Sequence, residues 1–451
     1  MNRTAITRVF AWEALDSRGN PTVACEVSLR SGARGTVIVP SGASTGRHEA
    51  FELRDGGTRY GGRGVRRAVE NVRGELAAAV TGLGADDQDA VDTALRTTDG
   101  SPSLERLGAN AVLAVSLATA CAAASASGVP LYHRLLEGQV PVLPMPMVNI
   151  VSGGAHTTGG VEMQDFLAVP IGATSFGEAI EWAWRVRRST QELAAERRLP
   201  TLVADEGGLG PPLPSNLAAL ELLAEGVERS GLRLGDDVAI AIDVAATRFC
   251  APDGSYRTTG DVTRAFDSSG LVAELEHWCN RYPIVSLEDP LAEDDWAGWA
   301  EATSRLGSRI QIVGDDLFVT DVARLERGIR EGVANAVLVK PNQVGTLSAA
   351  WAVVKRAREA GYGVIVSARS GETEDAWLAD LAVGWCAGQI KVGSLARSER
   401  TAKWNRLLRI ETELGRRAVF ARADWARSLE ATRRGGSQAR RLPSEAWRTK
   451  E

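Results

Sequence analysis

The sequence predicts an α/β architecture, a β/α barrel preceded by a smaller α+β domain, and three observations predict it. The 451 residues exceed one small module but suit a barrel of roughly 250 residues with a lesser domain attached. At 44% hydrophobic and 24% charged, the chain can fill a sizeable core and is neither disordered nor collagen-like in composition. From about residue 200 onward, short apolar runs recur, each ending in a charged or phosphate-competent residue.

In chain order, Val23, Cys25, Val27 and Leu29 alternate with Ala24, Glu26, Ser28 and Arg30, the period of a half-buried strand. The turn Ser31–Gly35 leads into a second strand at Thr36–Val39, making a hairpin. A Gly/Ser-rich loop, Pro40–Gly46, follows. Val65, Val69, Val72, Leu76 and Val80 then recur at helical spacing. The uncharged stretch Ala111–Val129 is rich in small residues and ends at Gly128 and Pro130, as a buried helix of a water-soluble domain would, so no membrane span is expected. Pro141, Pro144 and Pro146 mark the domain boundary. The expected division is an α+β domain over 1–138, a barrel over 139–415 and an Arg-rich tail over 416–451, where nine Arg and one Lys face four acids. The tail is expected to be solvated and partly disordered.

The apolar runs are Leu202–Ala204 ending at Asp205-Glu206, Val238–Ile242 at Asp243, Ile284–Leu287 at Glu288, Ile310–Val313 before Gly314-Asp315, Ala336–Val339 at Lys340, Val364–Val366 before Ser367–Ser370, and Gln389-Ile390 at Lys391. From Glu206 the intervals are 37, 45, 27, 25, 29 and 22 residues, each about one strand plus one crossover helix. Such spacing predicts parallel strands. In a closed barrel their carboxyl ends open on one face, where catalysis sits.

Charge and cysteine content narrow the functions. Fifty-two basic against 57 acidic residues give a net charge of −5, which argues against a nucleic-acid partner. The five cysteines form no CxxC, and the N-terminus carries no apolar signal segment, so a reduced, cytoplasmic protein is expected. Only five basic residues are lysine, among them Lys340 and Lys391 at strand ends.

Taken singly, these strand ends read as ordinary turns and caps; together they make chemistry. Asp243, Glu288 and Asp315 would set three hard oxygen ligands side by side, a donor set for Mg²⁺ rather than zinc. Lys340 and Lys391, repelled by each other and by a metal, are expected to be neutral, so that one can remove a proton α to a carboxylate. Arg369 and Ser370 supply donors suited to a phosphate.

Over nearly its whole length the chain resembles the enolase family. The resemblance rests on Asp16–Val23, Pro40–Gly46, Asp205–Gly208, Ser286–Pro290, Lys340–Leu347, Arg369–Asp375 and Ala396–Arg400. It implies an enolase-type barrel and a lyase interconverting 2-phosphoglycerate and phosphoenolpyruvate, a glycolytic step. It further implies Lys340 as the base at C2, Glu206 as the acid that helps expel the C3 hydroxyl, and Lys391 on the substrate carboxylate. Arg369 and Ser370 would hold the phosphoryl group, with His156, Gln164 and Asp165 lining the pocket. Asp243, Glu288 and Asp315 would bind one Mg²⁺, and Ser41 would help bind a second when substrate is present. Family members are usually homodimers or larger rings, acting on a small phosphorylated acid.

Two positions depart from the pattern. Asp165 stands where the family has Glu, withdrawing a carboxylate by one methylene, and Ala368 stands where it has His. The space left at Ala368 opens a second reading, a relative recruited to phosphonate metabolism that forms carboxyphosphonoenolpyruvate. A third reading, a non-catalytic binding protein, fits poorly with the retained lysines and carboxylates.

Overall fold

A computed structural model describes residues 2–42, 45–157, 159–258 and 264–421. The Arg-rich tail from residue 422 onward lies outside them. Near the N-terminus, strands Ile6–Leu15, Pro21–Leu29 and Arg34–Ile38 form an antiparallel meander. The predicted hairpin is its second and third strands, and Cys25 and Val27 pack inward. Helix Ala109–Ala126 lies across this sheet and is buried over most of its length. It is long and apolar enough to cross a membrane, yet 83% of its apolar window is covered by the rest of the protein. The close approach is possible because Gly35 presents no side chain. A Cβ there would run into the Ala118 carbonyl oxygen and the Ala122 amide nitrogen.

The larger domain is a closed eight-stranded barrel. Its strands, first to eighth, are Met145–Ser152, Asp165–Val169, Ala239–Asp243, Ile284–Glu288, Gln311–Gly314, Ala336–Val339, Gly363–Ser367 and Gly388–Gly393. Helices between later strands begin with side-chain N-caps, among them Asp267, Asp295, Asp321 and Thr346. The interior is plugged by Met145, Met147, Leu167, Ala241, Val285 and Leu338, so the barrel is a packed core and not a pore.

The sheet departs from the expected all-parallel order in one place. The second strand runs antiparallel to both neighbours, pairing Ser152 with Asp165 on one side and Asp165 with Asp243 on the other. Reversal places its first residue, Asp165, at the end where the other strands finish. The expected strand Leu202–Ala204 also needs correcting. Leu202 is 78% exposed, and the segment belongs to the long connection between helices Phe176–Glu196 and Asn216–Arg229. Glu206 therefore reaches the mouth from a loop. Residues just past 415 are ordered into a short pairing, Val419–Phe420 alongside Val142–Leu143, next to the proline-rich junction.

The Gly35 contact predicts that Gly35→Ala costs about 3 kcal/mol, because both colliding atoms are backbone and cannot swing aside. Urea unfolding of the two proteins checks this.

Candidate active site

The third, fourth, sixth and eighth strands deliver Asp243, Glu288, Lys340 and Lys391 to one mouth. The Lys391 ammonium sits between two carboxylates, donating to Asp243 Oδ2 at 2.6 Å and to both Glu288 oxygens at 2.8 Å. Lys340 donates to Asp315 Oδ2, and Gln343 Nε2 donates to Asp315 Oδ1 at 3.1 Å. Gln164 Nε2 donates to Asp243 Oδ2 at 3.0 Å. All these charged groups are buried. Asp315 owes its position to Asp289, whose carboxylate accepts from the amides of Asp315 (2.9 Å) and Asp316 (2.8 Å). Asp289 itself adopts φ +40°, a strained left-handed conformation that only a constrained site keeps.

Electrostatics follow from crowding. Burial first, then Asp243 beside it, drives the Glu288 carboxyl well above the ordinary carboxylate range. The expected neutral lysines are not what the geometry gives. Burial opposes the charge on each, but Asp315 beside Lys340, and Asp243 with Glu288 around Lys391, outweigh it and raise both ammonium groups above the ordinary lysine value. Mutual repulsion between the lysines is a smaller effect than the carboxylates each one touches.

A second cluster lies at the neighbouring wall. His156 comes from the hairpin joining the first two strands and is 6% exposed. Its Nδ1 donates to Asp165 Oδ1 at 3.0 Å, and its Nε2 lies 3.6 Å from Glu206 Oε1. Asp165 also accepts from Asn149 and from Ser152 Oγ (3.4 Å), and its Oδ2 is buried with no hydrogen-bond partner among the described residues, 4.0 Å from the Lys391 ammonium. Asp165 thus underpins His156 from within the wall. Burial works against the imidazolium, but Asp165 and then Glu206 push the His156 pKa up to about 9.

On the far side, Arg369 extends from the loop after the seventh strand. Its guanidinium donates to both oxygens of Glu49, at 3.0 and 3.1 Å, and to Asn342 Oδ1 at 3.0 Å. Behind it the fully buried Arg400 donates to the carbonyls of Arg369 (2.6 Å), Ser370 (2.5 Å) and Val392 (3.0 Å) and lies 3.9 Å from Glu206. Ser41 is buried against this loop: its amide donates to the Gly371 carbonyl at 2.8 Å and its carbonyl accepts from the Gly371 amide at 2.9 Å. Its hydroxyl is engaged by Arg54 (2.9 Å) and Glu52 (3.2 Å) and not by Asp243, Glu288 or Asp315. Ala368 closes the seventh strand, its amide donating to the Lys391 carbonyl at 2.8 Å.

Family models match in two consecutive blocks: the enolase N-terminal domain over residues 6–135 and the enolase C-terminal TIM barrel domain over residues 140–429. The chain belongs to the enolase family. With its barrel and clustered acids it is an enolase-superfamily enzyme of lyase type, in a family that generally binds Mg²⁺ and acts on small phosphorylated acids.

Of the residues singled out from sequence, those at the ends of the later strands meet at the mouth, while Ser41 is held on the capping side. Asp289 and Arg400 lay inside quoted sequence blocks, but their scaffolding roles need three-dimensional partners to be seen. Glu49 gave no signal, since its partner lies 320 residues away.

The raised His156 pKa carries a sign. A group charged more readily in the fold contributes stability fully below its ordinary value of 6.5, and this is lost as pH rises through about 9. Asp165→Asn should shrink that alkaline loss, as measured by urea melts across the range. Equal losses in both proteins would remove Asp165 as the cause.

Proposed function

We propose that this enzyme interconverts 2-phosphoglycerate and phosphoenolpyruvate, with Mg²⁺, in the glycolytic sense. The observation that carries the reading is the convergence of Lys340, Lys391, Asp243, Glu288 and Asp315 on one buried mouth with Glu206 on its wall. The donor set fits a hard divalent cation. Every candidate ligand atom is a carboxylate oxygen, and burial, with Asp243 crowding beside it, already pushes the Glu288 carboxyl up. Asp243, Glu288 and Asp315 would hold the ion, whose charge would steady the substrate carboxylate oxygens as negative charge builds there.

The protein's own groups do the rest. Lys340, once its ammonium has passed a proton to water at the mouth, takes the proton from C2, and Lys391 pairs with the substrate carboxylate. Burial raises the Glu206 carboxyl, but His156 and Arg400 beside it hold it below the ordinary range. After taking a proton from the His156 imidazolium, 3.6 Å away, Glu206 gives the proton that lets the C3 hydroxyl depart as water. Arg369 and Ser370 hold the phosphoryl group. Ser41 would help hold a second Mg²⁺, for which its hydroxyl would have to leave Arg54 and Glu52. The free cysteines support cytoplasmic residence, and family membership supports a homodimer or larger ring.

A second reading is favoured by one residue. Ala368, whose amide bonds the Lys391 carbonyl, carries a methyl group where the family has an imidazole, and a substrate with a phosphonoformyl group in place of phosphate would use that difference. On that reading the same base and acid form carboxyphosphonoenolpyruvate.

With 2-phosphoglycerate and Mg²⁺ the purified protein should form the enol product, chelation should abolish turnover, and Lys340→Met should lower kcat about a thousandfold. Absence of product from 2-phosphoglycerate would sink the first reading. Ala368→His separates the two: it should raise 2-phosphoglycerate turnover while harming the phosphonoformyl substrate if the second holds, and improvement of neither removes the argument from Ala368.

A further inference from the structure

We propose that Glu49, a residue of the capping domain, is a built-in stand-in for the substrate's phosphoryl group, which a phosphorylated substrate must displace from Arg369 to bind. The inference rests on the reading of Arg369 as the phosphoryl-binding residue. An arginine fork meets a carboxylate and a phosphate with the same pair of parallel N–H donors. Here that fork is already filled: Nη1 and Nη2 each donate to a different Glu49 oxygen, at 3.0 and 3.1 Å, with the guanidinium 3% and the carboxylate 9% exposed. Two anions cannot share it in a buried site without severe repulsion.

Glu49 also has somewhere to go. Its Oε1 accepts from the Gly46 amide at 2.9 Å and from Gln343 Nε2 at 3.3 Å, donors that remain when Arg369 turns to another anion. Beside it lies a cavity of about 270 Å³ lined by Pro40, Gly42, Thr45, Glu52 and Asn342. The segment that carries it is strapped to the barrel, since the Arg47 amide donates to Glu293 at 2.9 Å and Arg47 and His48 both reach Asp294. Through Gln343, which also donates to Asp315, the stand-in connects to the carboxylate held by Lys340.

Glu49 is thus a specificity-determining residue. It keeps the buried guanidinium paired and sets a threshold, because only a ligand that outcompetes a bidentate carboxylate enters. The test is calorimetric titration of inorganic phosphate into the full-length protein with Mg²⁺, comparing wild type, Glu49→Gln, Glu49→Asp and Arg369→Lys. Glu49→Gln should bind phosphate about tenfold more tightly, a gain near 1.4 kcal/mol, while Arg369→Lys binds it more weakly. If Glu49→Gln does not fold, Glu49→Asp decides, because the shorter side chain keeps the charge but loosens the fork and should still raise phosphate affinity. Phosphate binding that is unchanged or weaker in the Glu49 variants, with Arg369→Lys impaired, overturns the stand-in and leaves Arg369 in its role. Unchanged binding in Arg369→Lys overturns the phosphoryl reading itself, and the stand-in with it.

Discussion

The mouth of this barrel concentrates carboxylates where water cannot solvate them, and the two lysine ammonium groups make that arrangement tenable. A buried ion left without a partner costs several kcal/mol. Lys391, spanning Asp243 and Glu288, and Lys340, on Asp315, supply the partners. Each lysine can do so only because its strand ends level with those of the acids, as the pairing of Glu288 with Asp243 and of Ser367 with Lys391 records. Strand register, charge balance and chemistry are therefore one constraint. A slip of one residue would turn an ammonium out of the mouth and strand its carboxylates.

Much of this was legible in the sequence, for a physical reason. A parallel strand buried on both faces must be apolar until it emerges, so the first charged residue after each run marks the mouth, as at Asp243, Glu288, Lys340 and Lys391. The same rule failed where its premise failed. The second strand begins with its charged residue, Asp165, because it runs the other way, and Met145–Ser152 overlaps the prolines that mark the domain boundary and ends in no charged residue. Leu202 and Val203 have the apolarity of a strand but lie exposed in a loop. The carboxylates that each lysine touches come from other strands, so their pull toward the ammonium form was not legible beside the lysines' mutual repulsion.

Supporting contacts were the least legible. Arg400 acts through carbonyl oxygens, which carry no sequence identity, and Glu49 acts across the boundary between domains. The capping domain is accordingly more than a cover. It contributes an acid to the far wall, and Ser41 bonds backbone to backbone with the loop that bears Arg369 and Ser370.

The reversed second strand has a consequence for how such a site could diversify. The hairpin carrying His156 leaves the barrel and re-enters it at the same rim, so both of its anchors stand beside the chemistry. Residues added or removed there would reshape the entrance without re-threading any helix of the outer shell. Between the later, parallel strands a connection must instead travel the full height of the wall.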